Sequence, residues 1–301
     1  MYVASDPRSQ LTATTATATS AATFGDVGIG RHYAEPPQVE DEHQRTWITR
    51  GESFLTAYSE AQAGADFVRH EQADEYLLLI EDREVRAEVL WNGTVTPITG
   101  HSVTFVPAGQ SSIRMLTPGV IVRFLTTAAR DLAALAINAA DYNRDVNVPP
   151  VAAWPDPVGG YKARSYSLDV EPEAGRMGRI FRSSTFMINC QYPRTGPRDP
   201  AQMSPHDHAD FQQCSLILAG SYVHHLRWPW TTDKRLWRDD RHEICASPSV
   251  TFIPARVIHT SEATGLQANI LYDIFCPPRA DFSGRPGWVL NADDYPEPAA
   301  S

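Results

Sequence analysis

Hydrophobic positions along this chain fall into short runs separated by turn residues. "DEYLLLI", "EVRAEVLW", "SVTFVPA", "VIVRFLT", "STFMINCQY", "QCSLILAG", "YVHHLRW", "SVTFIPA" and "QANILYDIF" are rich in β-branched and aromatic residues and are bounded by Gly, Pro, Asn or Asp. Such runs predict β-strands, and many of them in succession predict sandwiches or barrels. Two stretches break the pattern. "AARDLAALAINAADY", from Ala128, has helical composition, and "NVPPVAAWPDPVGG", from Asn147, reads as a proline-rich connector.

The pattern repeats. "SVTFVPAG" at Ser102 to Gly109 returns as "SVTFIPAR" at Ser249 to Arg256, and each copy lies downstream of a histidine-bearing segment, "RHEQADEYLLLIED" from Arg69 and "HDHADFQQCSLILAG" from His206. The spacings match: His70 to Glu75 equals His208 to Gln213, and Pro107 to Ser112 equals Pro254 to His259. Two related domains from an internal duplication are the simplest account. The expected organisation is a disordered tail over 1–35, a first barrel over 36–127, a helical and Pro-rich linker over 128–165, a second barrel over 166–290, and a tail over 291–301. The second copy has the longer loop before its repeated motif, with the excess in "RWPWTTDKRLWRDDRH".

Composition narrows the class. With 301 residues, 42% hydrophobic and 21% charged, 23 prolines and 18 glycines, the chain reads as a turn-rich globular protein. A formal net charge of −10 argues against a nucleic-acid binder, which needs a basic surface for phosphates. It does not exclude an anionic small molecule, because a local arginine or metal ion outweighs the global field. Cys190, Cys214, Cys245 and Cys276 form no Cys-x-x-Cys pair and are expected to be reduced, buried thiols. There is no long apolar run for a membrane span, and "MYVASDPRSQL" lacks the features of a signal peptide. A cytoplasmic monomer or homodimer with a small-molecule substrate, and with no nucleic-acid or membrane partner, is the expectation. "LTATTATATSAATFG", Leu11 to Gly25, has too little apolar bulk to offset the entropy of ordering it.

The candidate chemistry lies in "SPHDHADFQQCSLILAG", Ser204 to Gly220. If this segment is a strand, His206 and His208 share one face and point together into a barrel. His259, on the strand of the repeated motif, adds a third imidazole, and Gln213 a polar group. Imidazole suits Fe, Mn, Ni, Cu and Zn, and four protein ligands leave open positions on a six-coordinate metal. The plain alternative is a set of polar residues scattered over loops and rims. Gln213 reads either as a ligand or as a hydrogen-bonding neighbour that orients an imidazole or a water. His224 and His225 are consecutive, so at most one faces inward. His242 reads as part of a solvated turn.

These residues resemble the motifs of the cupin superfamily, whose first motif is His-x-His followed by Glu and Gly, and whose second is Pro-x-Gly followed by His and a later Asn. His206, His208, Gly220, Pro254 and His259 match. Gln213 stands where the family has Glu, Arg256 where it has the Gly of Pro-x-Gly, and Ala263 where it has Asn. Gln213 is preferred to Gln212 because of its spacing to Gly220 and because Glu75 stands at the matching place in the first copy. The resemblance covers Gly51 to Thr127 and Phe181 to Pro278. It implies an all-β bicupin: two antiparallel β-barrels of the double-stranded β-helix type. In the first copy Val68 and Ser112 take the places of two histidines, leaving His70 and Glu75, so that barrel is expected to be structural or a metal-free pocket.

The resemblance further implies one divalent transition metal per chain, held by His206, His208, Gln213 and His259, with Fe(II) favoured over Mn, Ni, Zn or Cu. A ligand set of neutral side chains favours an anionic, chelating substrate, and similar cupins are dioxygenases for aromatic or dicarbonyl compounds. A non-oxidative isomerase, decarboxylase or lyase is the first alternative, and a non-catalytic binding cupin the second. Trp228, Trp230 and Trp237, in the longer loop, and Arg256 are the expected substrate-pocket residues, although packing is the default for the tryptophans.

Overall fold

A computed structural model describes residues 23–140 and 142–299. The expected disorder over Leu11 to Gly25 falls mostly on residues 1–22, which lie outside the described residues.

The fold is all-β, with each copy of the repeat built from one large and one small antiparallel sheet. The first large sheet has the order Arg164–Ser167, Ser102–Val106, Tyr76–Ile80, Gly119–Thr126, Phe54–Ala61, Gln44–Arg50, Val39–Glu40. Its small partner has the order Asp66–Gln72, Gly109–Met115, Arg86–Trp91, Thr94–Thr99. The second large sheet runs Gly28–Gly30, Ser249–Ile253, Gln213–Ala219, Ala268–Phe275, Met187–Cys190, Arg179–Arg182, and Arg194–Thr195 also pairs with Ala268–Phe275. Its small partner is Arg241–Ala246, Ser221–Arg227, Ile258–Ala263.

The two large sheets lie back to back, so their strands are buried on both faces and read as continuous apolar runs rather than as alternation. Leu77, Leu79 and Phe124 meet Cys214, Leu216 and Ile274 in one shared core between the barrels. The neighbouring positions Tyr76, Leu78 and Ile80 face the interior of the first barrel with Phe67, Val89 and Ile113. Fully burying one such aromatic or aliphatic side chain contributes about 1.5–3 kcal/mol. Phe54 and Phe252, one from each barrel, pack at a tilt with ring centroids 5.0 Å apart.

Three expected boundaries move, because each copy lends its edge to the other. Gly28–Gly30, assigned to a tail, pairs with Val250 to Phe252 of the second barrel, and Phe24 is buried beside Trp228. Arg164–Ser167, at the start of the expected second barrel, pairs instead with Ser102 to Phe105 of the first. The expected C-terminal tail is also packed in: Asn291 bonds to the Arg182 backbone, and Tyr295, 1% exposed, donates its hydroxyl to Glu75 at 2.7 Å. The helical stretch shortens to Arg130–Leu135. All four cysteines are buried and free. Among the described residues no helix is long and apolar enough to cross a membrane.

Candidate metal centre

The strand that was expected to carry His206 and His208 begins only at Gln213. Both histidines sit in the preceding loop, and two devices fix that loop. His206 and His259 form an isolated antiparallel bridge, N–H to carbonyl at 3.0 and 2.8 Å. Arg256 donates its backbone N–H to the His208 carbonyl at 2.6 Å and its Nε to the Ala209 carbonyl at 3.1 Å. The three rings converge with centroids 4.4–5.2 Å apart. One ring nitrogen from each lies within 4.8 Å of the others, an arrangement that can hold a metal ion.

The surroundings prepare these rings as ligands. His206 Nδ1 lies 2.9 Å from the Ser204 carbonyl and His259 Nδ1 2.9 Å from the Val257 carbonyl. A carbonyl only accepts, so each Nδ1 carries the proton and each Nε2 keeps its lone pair. His208 stacks on Phe211 with centroids 4.6 Å apart. Gln213 Oε1 points into the cluster, 3.0 Å from His208 Nε2 and 3.4 Å from His259 Nε2. Its amide cannot turn over without loss, because Nε2 donates to Asp273 Oδ1 at 2.8 Å and to Ser215 Oγ at 3.1 Å. Asp273 also accepts from Ser215 at 2.7 Å and, on Oδ2, from Gln191 at 2.7 Å.

Asp273 is the residue that sequence reasoning missed. It revises the electrostatics, since a carboxylate behind Gln213 offsets part of the charge that a neutral ligand set leaves uncompensated. The signal was present: an acid in the middle of the apolar run "QANILYDIF" is costly unless it is bonded inside.

His206, Gln213 and His259 line a cavity of about 700 Å³ that also takes in Gln191, Arg194, Arg198, Tyr222 and Asp273. Arg198 bonds to the Gln202 and Ser261 carbonyls and to Ser204 Oγ, bracing the wall beside His206. Burial and then Asp273 push the Tyr222 phenol up, so it stays a hydrogen-bond donor at neutral pH.

The expected substrate-pocket residues lie elsewhere. Trp228 is buried against Phe24 and donates to the Gly25 carbonyl at 3.2 Å. Trp230 and Trp237 stack on each other, centroids 4.6 Å apart, with Trp230 71% exposed. None of the three lines this cavity, and neither does Arg256, whose φ of 64° occupies the left-handed conformation that Gly109 adopts in the first copy. Of the consecutive histidines, His224 faces inward, with Nδ1 2.8 Å from Ser261 Oγ, while His225 bonds to His242 and Glu262. His242 lies on the Arg241–Ala246 strand rather than in a turn.

Pairing also corrects the match between copies. Gln213 lies opposite Ile253 and Tyr76 opposite Val106, so Tyr76, not Glu75, takes the place of Gln213. Arg69 precedes Tyr76 by seven residues as His206 precedes Gln213, and Ser111 lies opposite Arg69 as His259 lies opposite His206, so Ser111 and Arg69, not Ser112 and Val68, take those places. Val68 and His70 are exposed, and Glu75 bonds to Ser184 and Tyr295 between the barrels.

No family model matches the chain, and no curated protein matches it. Solved structures do. The chain superposes on a Lactobacillus farciminis oxalate decarboxylase in a formate complex with a TM-score of 0.57 and 14% identity, covering 86% of this chain and 88% of that one. AerE from Microcystis aeruginosa aligns at 0.55 and 9% identity over 85% and 99%. The 11S globulin from Wrightia tinctoria, described as revealing an auxin binding site, aligns at 0.55 and 11% identity over 80% and 81%. The chain shares its two-barrel fold with these structures.

Proposed function

We propose that this chain is a metal-dependent enzyme whose second barrel holds one divalent transition metal and acts on a small, anionic, chelating substrate with consumption of dioxygen. The observation that carries the reading is the convergence of three histidine nitrogens and Gln213 Oε1 beside a cavity with arginines in its wall. The donor set fits a first-row metal: imidazoles with fixed tautomers, one amide oxygen, and positions left open toward the cavity. Fe(II) is the favoured ion, with Mn, Ni, Zn or Cu as alternatives. Bound there, the metal would supply Lewis acidity and an electron route between substrate and dioxygen.

The chain's own residues bind and orient. Arg194 and Arg198 draw an anion into the cavity. The protonated Tyr222 hydroxyl donates to it, and Asp273 holds the Gln213 amide so that its oxygen, not its nitrogen, faces the histidines. A non-oxidative reading, decarboxylase or isomerase, is favoured by one further feature: Tyr222 and Asp273 place a proton donor and a carboxylate in the same cavity wall. The likeness to oxalate decarboxylase points the same way.

Oxygen-electrode and anaerobic assays of metal-loaded protein against a panel of aromatic, dicarbonyl and dicarboxylic acids test the proposal. Turnover with stoichiometric oxygen uptake is expected. Full-rate turnover under strict anaerobiosis would replace the dioxygenase with the non-oxidative enzyme, and saturable binding without turnover would leave a binding cupin.

A further inference from the structure

The interior of the first barrel carries a charge of its own. Arg123, on Gly119–Thr126, is the counterpart of Asp273: it lies opposite Leu78, one step along from the Leu77 and Phe124 pair, just as Asp273 lies one step along from the Cys214 and Ile274 pair. It is 5% exposed, and its guanidinium carbon sits 4.3 Å above the centre of the Phe67 ring. That contact covers a face of the guanidinium. Its five N–H groups lie in the plane and still require acceptors.

Few are supplied. The hydrogen bond that the structure gives this side chain runs from Nη2 to Ser59 Oγ at 3.5 Å, and Nε has none. Gln72 Nε2, the second buried donor in this barrel, is also without a partner, while its Oε1 accepts from Arg69 Nε at 3.0 Å. The acid nearest to hand is already taken: Asp131 pairs with Arg69 through bonds of 2.6 and 3.0 Å. Tyr76 and Ser111 bond to each other at 3.0 Å. Burial holds the Arg123 guanidinium down to about 10, still well above neutrality, so the side chain stays cationic. A water could meet the idle N–H groups but would leave the charge unbalanced in an apolar interior.

We propose that the first barrel binds a small monovalent anion at the Arg123 guanidinium, with the Gln72 amide, linked to the same cluster through Arg69, as a second donor. Monovalency follows from the charge count, because Asp131 already neutralises Arg69 and leaves Arg123 as the single unbalanced charge. Small size follows from the packing, because Leu78, Val89, Ile113, Ile121 and Leu125 fill the same interior. The barrel whose counterpart gathers imidazoles and a carboxylate for a cation thus presents, at the positions matching His206 and Asp273, the guanidinium groups of Arg69 and Arg123. This inference is independent of the metal in the second barrel.

Thermal unfolding of the full chain in increasing sodium bromide, with ionic strength balanced by sodium glutamate, tests it. A ligand that binds only the folded state raises Tm saturably. Such a rise is expected in the wild type and unchanged in His259→Ala, which separates it from anions at the metal centre, and it should vanish in Arg123→Met. Gln72→Glu supplies an internal carboxylate, so it should raise Tm without bromide and abolish the response. It serves as the deciding variant if Arg123→Met does not fold. Crystals soaked in bromide should show an anomalous peak beside the Arg123 guanidinium. A wild type without a saturable rise, an equal rise in Arg123→Met or Gln72→Glu, or bromide bound only elsewhere would overturn the proposal.

Discussion

The two barrels share a strand order and a repeated motif, yet their interiors are chemical opposites. Around the matched positions the second barrel has His206, His208, Gln213, His259 and Asp273, whose lone pairs converge on one another and on the cavity. The first has Arg69, Gln72, Tyr76, Ser111 and Arg123, whose free valences are N–H groups, set among aliphatic side chains. One scaffold therefore fixes where side chains point, and a few residues decide whether that place suits a cation or an anion. Fold alone says nothing about the ligand, because sites are grafted onto it.

The largest effects should come from breaking this contrast at the imidazoles. His206→Ala or His259→Ala should lower metal affinity by more than about 100-fold, beyond the range typical of supporting residues. His70→Ala, which alters an exposed side chain of the first barrel, should leave it unchanged in competition titrations with a chelating dye.

Asp273 comes next. Asp273→Asn frees the Gln213 amide to rotate and should weaken metal binding by about 10–100-fold. Gln213→Glu alone sets two carboxylates side by side at the present 2.8 Å contact, so the metal-free variant should share a proton between them and titrate as a pair. The double variant Gln213→Glu/Asp273→Asn moves the charge from one side of that contact to the other. It should bind metal within about tenfold of the wild type by the same logic. Equal metal affinity in wild type and Asp273→Asn would place Asp273 outside the site's support.

Arg256→Gly makes the second barrel resemble the first at the turn after the repeated motif. Relief of the left-handed backbone contributes roughly 1–2 kcal/mol and loss of the bond to the Ala209 carbonyl costs about 0.5–1.5 kcal/mol, so denaturant unfolding should change by no more than about 1.5 kcal/mol. A loosened His208 loop should appear instead as faster metal release.

A further test concerns the seam between the barrels. His32 follows the Gly28–Gly30 strand of the second barrel and packs on Trp47 and Tyr58 of the first, with neither ring nitrogen bonded. Burial holds it down to about 3, against an ordinary value near 6.5. The unfolded chain therefore takes up a proton that the folded chain refuses between those values. Stability from this residue is complete above pH 6.5 and falls by about 1.4 kcal/mol per pH unit as pH drops toward 3. His32→Leu should remove one proton's worth of that slope from unfolding measured between pH 6.5 and 4.5. An unchanged slope would show that the ring is not buried neutral.

Much of this was legible in the sequence. The duplicated Ser-Val-Thr-Phe-(Val or Ile)-Pro run located both barrels, and His206, His208 and His259 were found by spacing and resemblance and are brought together. Equal spacing misled where loops differ by a residue. The first copy reaches Ser111 one residue sooner, and Tyr76 one residue later, than counting suggests, so Val68, Glu75 and Ser112 were matched to places that they do not occupy. Pairing between distant segments left no local trace either: nothing in "GIG" at Gly28 announces an edge strand of the second barrel, and nothing in the last ten residues announces the buried Tyr295. The tryptophan-rich loop carried composition but no direction. Its Trp228 and Arg238 hold residues 24–26 rather than a substrate.

The contrast between a cation-holding and a cation-refusing barrel is tested most directly by metal stoichiometry. Elemental analysis of protein purified without chelators should give one equivalent of tightly bound transition metal per chain. Two equivalents would place a metal among the arginines of the first barrel, and none after incubation with Fe(II), Mn, Ni, Zn or Cu would deny one to the histidines of the second. Either result would contradict the account.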